Sequence, residues 1–219
     1  MGTSADLFDA LVAEAPAREP LAEGAVILRQ FALAEADALL AEVRAIAADA
    51  PFRRLVTPGG QTMSAAMTNC GEVGWVSDRR GYRYEPCDPQ SGRPWPAFPQ
   101  RFLDLAARAA REAGFPGFRP DACLVNRYEV GTRLSMHRDF DEGDRTQPIV
   151  SVSLGIPAIF QFGGLTRDVR PTRHRLVHGD VVVFGGPSRF AYHGVAPIKD
   201  DEHPATGRLR INLTFRKAR

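Results

Sequence analysis

Lysine is nearly missing from this 219-residue sequence: Lys199 and Lys217 are the only two among 28 basic residues, so 26 are arginine. A guanidinium suits phosphate recognition, but a GC-rich genome gives the same bias, and that second explanation weighs more. Cysteine is also scarce. Cys70, Cys87 and Cys123 are odd in number, widely spaced and free of any C-x-x-C pattern. That excludes a disulfide framework or thiolate zinc site and leaves reduced thiols that pack. No run approaches the roughly 18 apolar residues of a membrane span, and MGTSADLFDAL lacks the basic start and apolar stretch of a secretion signal. The expectation is a cytoplasmic protein with no membrane partner. Internal repeats and low-complexity tracts are missing as well.

The net charge of +2 does not by itself announce a polyanion partner. Its distribution is uneven, with three basic and nine acidic residues in 1–50, seven and four in 51–101, and 18 and 13 in the remainder. The basic surface therefore lies downstream of residue 50. With 44% hydrophobic residues, the length suits a single substantial core.

Residues 1–24 pair a short apolar patch with AEAPAREP, which predicts one helical turn followed by a linker. Between Ala34 and Asp49, Leu39, Leu40, Val43 and Ile46 recur at helical spacing before Pro51 stops the run. A second helix is expected after Pro99, with Phe102, Leu103, Leu105, Ala106 and Ala109 as its stripe and Gly114 and Pro116 as its stop. Residues 52–98 read as short strands and loops. There Trp75 lies near Arg79 and Arg80, and Tyr82 and Tyr84 flank Arg83, a mix suited to stacking a base beside phosphate, although such aromatics more often fill a hairpin's small core.

From residue 120, the runs ACLVNRY, PIVSVSLG, AIFQFGG, RLVHGDVVVFGG and RFAYHGV are punctuated by Gly, Pro and Asp. Many short strands without a helix predict a sandwich or barrel, and a jelly roll would bring the ends of distant strands to one mouth. His137 and Asp139, two apart in an extended chain, point to the same side and can share an ion, and His193 would be a third ligand 56 residues on. Two histidines and a carboxylate with open positions are the ligand set of non-haem Fe(II) oxygenases. The closing strand RLRINLTFR alternates, with Arg208, Arg210, Asn212, Thr214 and Arg216 on one face and Leu209, Ile211, Leu213 and Phe215 on the other. Arginine forks on that face can clamp a dicarboxylic acid, 2-oxoglutarate. Against this, an H-x-D triplet also occurs on ordinary polar surfaces and a terminal basic strand on solvated faces. His174, His178 and His203 have no carboxylate at ligand spacing and read as solvated or capping residues.

The ordered set TPGGQTMSAAMTNCG, PDACLVNRY, LSMHRDFDE, PIVSVSLGIPAIFQFGGL, HGDVVVFGG, YHGV and NLTFR, from roughly Pro20 to Arg216, resembles the AlkB family of Fe(II)- and 2-oxoglutarate-dependent dioxygenases. The resemblance implies a mainly β (α+β) fold, a double-stranded β-helix with supporting N-terminal helices and a nucleotide-recognition lid. It implies a division into an arm (1–24), bracing helices and lid (25–119) and a catalytic core (120–219), forming one compact unit. It further implies His137, Asp139 and His193 as iron ligands, and Asn126, Tyr128, Arg210, Asn212 and Arg216 as the 2-oxoglutarate pocket, with Arg210 serving catalysis. On the lid it maps Thr57, Met67, Trp75 and Tyr82. Trp75 would stack on the damaged base, with His137 on its other side and Asp141 meeting its exocyclic amine. Arg133 and Arg167 fall near the nucleic acid backbone.

The implied reaction couples 2-oxoglutarate and O2 to succinate, carbon dioxide and formaldehyde. It removes methyl groups from 1-methyladenine and 3-methylcytosine in single- or double-stranded DNA, with RNA as a further candidate and a monomer as the working unit. Three positions depart from a known family member: Phe140 stands where it has lysine, Arg138 where it has glutamine and Phe184 where it has tryptophan. An oxygenase of the same fold acting on a protein or small molecule is the alternative enzyme. A non-catalytic damage sensor is disfavoured by the intact triad and Arg210.

Overall fold

The computed structural model describes residues 17–219. Its strands are β1 (Arg18–Ala22), β2 (Ala25–Leu28), β3 (Ala66–Gly71), β4 (Gly74–Asp78), β5 (Gly81–Glu85), β6 (Ala122–Tyr128), β7 (Leu134–His137), β8 (Ile149–Gly155), β9 (Ala158–Phe162), β10 (Thr172–Leu176), β11 (Val181–Phe184), β12 (His193–Val195) and β13 (Arg210–Arg216). Two helices interrupt them, α1 (Ala36–Asp49) and α2 (Gln100–Glu112). A seven-stranded antiparallel sheet runs β1-β2-β11-β8-β13-β6-β3, a four-stranded one runs β10-β9-β12-β7, and β4 pairs with β5 alone.

The pleat of β13 decides what lies on either side of the large sheet. Ile211, Leu213 and Phe215 join one apolar cluster with Leu39, Leu40, Val43 and Ile46 of α1 and Phe102, Leu105, Ala106 and Ala109 of α2. Both helices therefore brace the sheet from outside, through the stripes their sequences carry. On the inner face, Ile27, Ile149, Val182 and Phe184 of the large sheet pack against Phe160, Phe162 and Leu176 of the small one. The result is a jelly roll, the mainly β architecture expected, with its site between the sheets.

Local structure departs from expectation at residues 18–22, which form β1 where a linker was expected. Leu21 packs against the inter-sheet cluster, and β1 pairs with β2 as an edge strand, where Pro20 is tolerated. The helical turn expected further upstream lies outside the described residues. The large sheet also recruits β2 and β3 from upstream of residue 120. Within 52–98, β4 and β5 form the expected hairpin.

Two glycines set the site's geometry. Gly155 ends β8 at φ +86°, where a Cβ would lie 2.3 Å from the Leu209 carbonyl oxygen. Gly194 follows the predicted ligand His193, and a Cβ there would lie 2.7 Å from the Leu134 carbonyl oxygen, so β12 can nest against β7 only without a side chain. That close approach sets His193 directly opposite His137 in the β7–β12 register.

Candidate active site

Strand β7 presents His137, the loop after it presents Asp139 and β12 presents His193; their potential ligand atoms all lie within 4.8 Å of one another. His137 Nδ1 is 3.0 Å from the Ser135 carbonyl, and His193 Nδ1 is 3.0 Å from that of Ala191. A carbonyl only accepts, so each Nδ1–H donates and each Nε2 keeps a bare lone pair, the tautomer a metal requires. Burial and the neighbouring His137 lower the His193 pKa to about 4. His193 is therefore neutral across the ordinary pH range. Phe184, 4.9 Å from the His193 ring, and Phe160 form an apolar wall behind it.

Asp139 is held ionised from behind. Burial pushes its pKa up, but the Arg216 guanidinium beside it more than offsets this and holds it well below the usual carboxylate range. Arg216 Nη2 and Nε contact the same oxygen, Oδ2, at 2.7 and 2.9 Å, and Oδ1 is turned to His137 Nε2 at 3.4 Å. Behind this pair, Glu142 lies 3.4 Å from Arg216 and 3.1 Å from Arg189 and accepts a hydrogen bond from Tyr84. Two carboxylates and two guanidiniums thus form a closed buried network. Arg189 also donates to the Asp139 and Gln147 carbonyls, fastening the loop that follows β7.

The inner face of β13 forms the other end of the site. In register, Arg210 opposes Tyr128 and Asn212 opposes Asn126. Arg210 is 2% exposed, stacks 4.9 Å from the Tyr128 ring and donates through Nη2 to Ser153 Oγ. Its Nε and Nη1 have no partner among the described residues. A buried guanidinium with two idle donor nitrogens is costly without an anion, and an acid presenting a carboxylate there would complete it. The donor sets thus fit both iron(II) and 2-oxoglutarate. Arg216, grouped with the acid-binding residues by the sequence, also lines the cavity and is paired with Asp139 and Glu142, whereas Arg210 has buried donors without a partner. Asn212 donates to Ser151 Oγ and the Val152 carbonyl and orders the amide floor with Thr214. Arg208 lies on the surface, paired with Asp200.

One cavity of about 570 Å³ joins these groups to the β4–β5 hairpin. Trp75 on β4 stacks on Tyr82 of β5 at 5.5 Å and 12°, and its Nε1 donates to Asp141 Oδ2 at 2.9 Å. Thr57, Met67, Arg133, Arg138 and Arg167 line the same cavity. Phe140 is 43% exposed outside it, whereas Phe184 is buried against His193. The lesser histidines have separate partners: His174 meets Glu19, and His178 and His203 stack at 4.2 Å.

The structure adds Glu142, Arg189 and Ser153 to the residues read from the sequence and gives Tyr84 its partner, Glu142. The charges of Glu142 and Arg189 stand in HRDFDEG and next to FAYHGV, but that does not say which partner each meets.

Residues 24–216 match the family model of the 2OG-Fe(II) oxygenase superfamily. The chain is 57% identical over 212 residues to the alpha-ketoglutarate-dependent dioxygenase AlkB of Escherichia coli K12, covering 97% of this chain and 98% of that protein. It is 32% identical over 158 residues to the tRNA demethylase abh1 of Schizosaccharomyces pombe, covering 66% and 52% respectively. Among solved structures it resembles OsALKBH1, with a TM-score of 0.79 at 29% identity over 92% of this chain and all of that one.

Proposed function

The chain belongs to the 2OG-Fe(II) oxygenase superfamily, in its AlkB branch, and from that premise we propose that it oxidatively demethylates alkylated nucleic acid bases. The intended substrates are 1-methyladenine and 3-methylcytosine in DNA, with RNA second, as the likeness to a tRNA demethylase suggests. One observation carries this reading: a single cavity runs from the triad and Arg210 to a wall of Trp75, Tyr82 and Asp141. A hydroxylase of proteins or small acids has no need of a stacked aromatic pair tethered to a carboxylate at its mouth.

Iron(II), 2-oxoglutarate and O2 together supply the oxidising power that hydroxylates an N-methyl carbon, which leaves as formaldehyde. His137 Nε2, His193 Nε2 and Asp139 Oδ1 would hold the metal, and Arg216 keeps Asp139 ionised. Arg210 would take the far carboxylate of 2-oxoglutarate with donors it leaves free of protein partners, with Tyr128, Asn126, Asn212 and Arg216 shaping the pocket. Phe184 and Phe160 exclude water behind His193.

Trp75 and His137 would sandwich the extracted base, with Thr57 and Met67 closing the lid side and Arg133 and Arg167 meeting phosphate. Asp141, whose Oδ2 is bonded to Trp75, offers Oδ1 to an exocyclic amine. A ring carrying positive charge is attracted to this aromatic and carboxylate wall. A methylated Watson–Crick edge pairs badly, so extraction costs a few kcal/mol at most and favours damage over intact bases. One chain carries every group named, which supports a monomer as the working unit, and nucleic acid substrates are consistent with work in the cytoplasm.

The test is formaldehyde release from a single-stranded oligonucleotide containing 1-methyladenine, with iron, ascorbate and 2-oxoglutarate supplied. Formaldehyde and succinate in equal amounts are expected. Succinate production that methylated DNA fails to stimulate would assign the enzyme to a protein or small-molecule substrate instead.

A further inference from the structure

From the cavity's rim outward runs a strip in which cations and rings alternate. The guanidinium of Arg167 lies 5.0 Å from the Tyr192 ring and that of Arg138 lies 5.6 Å from the same ring. Arg138 is also 4.9 Å from the Phe140 ring, on which Arg145 sits at 4.0 Å. Most other arginines near the lid are matched to acids, as Arg54 is to Glu129 and Arg83 to Asp78. Arg138, Arg145 and Arg167 form no ion pair with a carboxylate among the described residues. Stacking a guanidinium on a ring fixes its plane while its N–H edge stays outward, and the intervening ring tempers repulsion between neighbouring cations.

The strip is built on fixed backbone. Tyr192 exchanges hydrogen bonds with the end of β9, its N–H donating to Gly164 at 2.9 Å and its carbonyl accepting from Gly163 at 2.7 Å. Arg145 donates to the Phe140 and Glu142 carbonyls, and buried Arg189 fastens the same loop through Asp139, Glu142 and Gln147. Arg138 follows His137 in the chain and Tyr192 precedes His193, so the strip begins at the site itself. Arg138 and Arg167 line the cavity and Arg145 lies outside it.

We propose that Arg167, Tyr192, Arg138, Phe140 and Arg145 form a rail that binds consecutive phosphodiesters of the strand flanking the extracted base. The Phe140 ring then has a role of its own, positioning Arg138 and Arg145 for the phosphates. The proposal rests on the reading that the substrate is a nucleic acid, and it extends the footprint past the damaged nucleotide.

The test compares binding of a labelled single-stranded oligonucleotide bearing one 1-methyladenine, by anisotropy on iron-free protein, between wild type and the Arg138→Gln/Arg145→Gln pair. Single-strand affinity depends on salt with a slope of about 0.7 per phosphate contact, so losing two contacts should flatten the slope by about 1.4. Between roughly 50 and 200 mM salt the wild-type advantage should then shrink about sevenfold. Phe140→Leu, which leaves every charge in place, should still weaken binding because Arg138 loses its platform. Arg44→Gln/Arg111→Gln on the bracing helices removes the same charge and should leave the slope unchanged. An unaltered slope in the rail pair, or an equal loss in the helix pair, overturns the rail. Wild-type protein that neither binds nor demethylates the oligonucleotide overturns the functional reading beneath it, a separate result.

Discussion

Arg216 grips Asp139 by one carboxylate oxygen only, Nη2 and Nε both contacting Oδ2, while Oδ1 faces His137. The arginine therefore fixes which oxygen is available to a metal. It positions the ligand.

Replacing Arg216 with leucine should leave Asp139 and Glu142 buried without their shared cation. Breaking such a pair costs about 3–5 kcal/mol, so a clear fall in unfolding temperature and in iron affinity is expected together. Arg216→Lys should recover part of both. If Arg216 instead served chiefly as an acid clamp, the apparent affinity for 2-oxoglutarate would fall while thermal stability held.

For Arg210 the expected signs are opposite. Its idle Nε and Nη1 burden the empty fold, so Arg210→Met should raise stability in chemical denaturation while weakening 2-oxoglutarate at least tenfold. Titrating succinate formation against 2-oxoglutarate reads the second effect. Weakening of the cosubstrate without any gain in stability would mean that the donors have partners in solution.

The pH dependence follows from His193. Its folded pKa, about 4, lies below the unfolded value near 6.5, so below pH 6.5 the unfolded chain binds a proton that the folded one refuses. Stability is complete above pH 6.5 and is lost as pH falls toward 4, amounting to about 2 kcal/mol by pH 5. His178, whose pKa is lowered by burial and by His203, acts in the same direction. Urea denaturation of the metal-free protein at pH 7.5 and pH 5 measures this. Equal stabilities would contradict a buried, neutral His193.

Trp75→Phe keeps an aromatic ring but removes the N–H that reaches Asp141. A few-fold rise in KM for methylated oligonucleotide is expected, with kcat less affected, because the lid loses one tether while Tyr84 keeps the other through Glu142. Trp75→Ala removes the stacking surface too, worth about 1–3 kcal/mol per base, and should cost tenfold or more. Equal effects of the two changes would assign Trp75's whole contribution to the hydrogen bond.

The sequence made the alternation of β13 and the ligand spacing legible because both are local: a two-residue period and an H-x-D triplet do not depend on what packs around them. The helices were legible for the same reason. That the cationic face of β13 turns inward was only a possibility, since alternation says that faces differ and not which one is wet. The partner of Arg216 was hidden because it comes from a loop 77 residues away. Glu142 and Arg189 were invisible as a pair on the same grounds. Residues 18–22 looked like linker because Pro20 opposes regular structure, and only the waiting edge of β2 makes them a strand.

Residues 139–142 divide by direction: Asp139 and Glu142 are buried, whereas Phe140 and Asp141 are exposed. The inward pair sets the reaction, and the outward pair touches the rail and the lid. Four consecutive positions therefore separate two kinds of inheritance. Substitutions at 140 and 141 can redirect the enzyme toward other lesions or other strands while its oxidation chemistry passes down untouched. A single inserted residue would scramble both at once, so this stretch should drift by substitution and resist change in length.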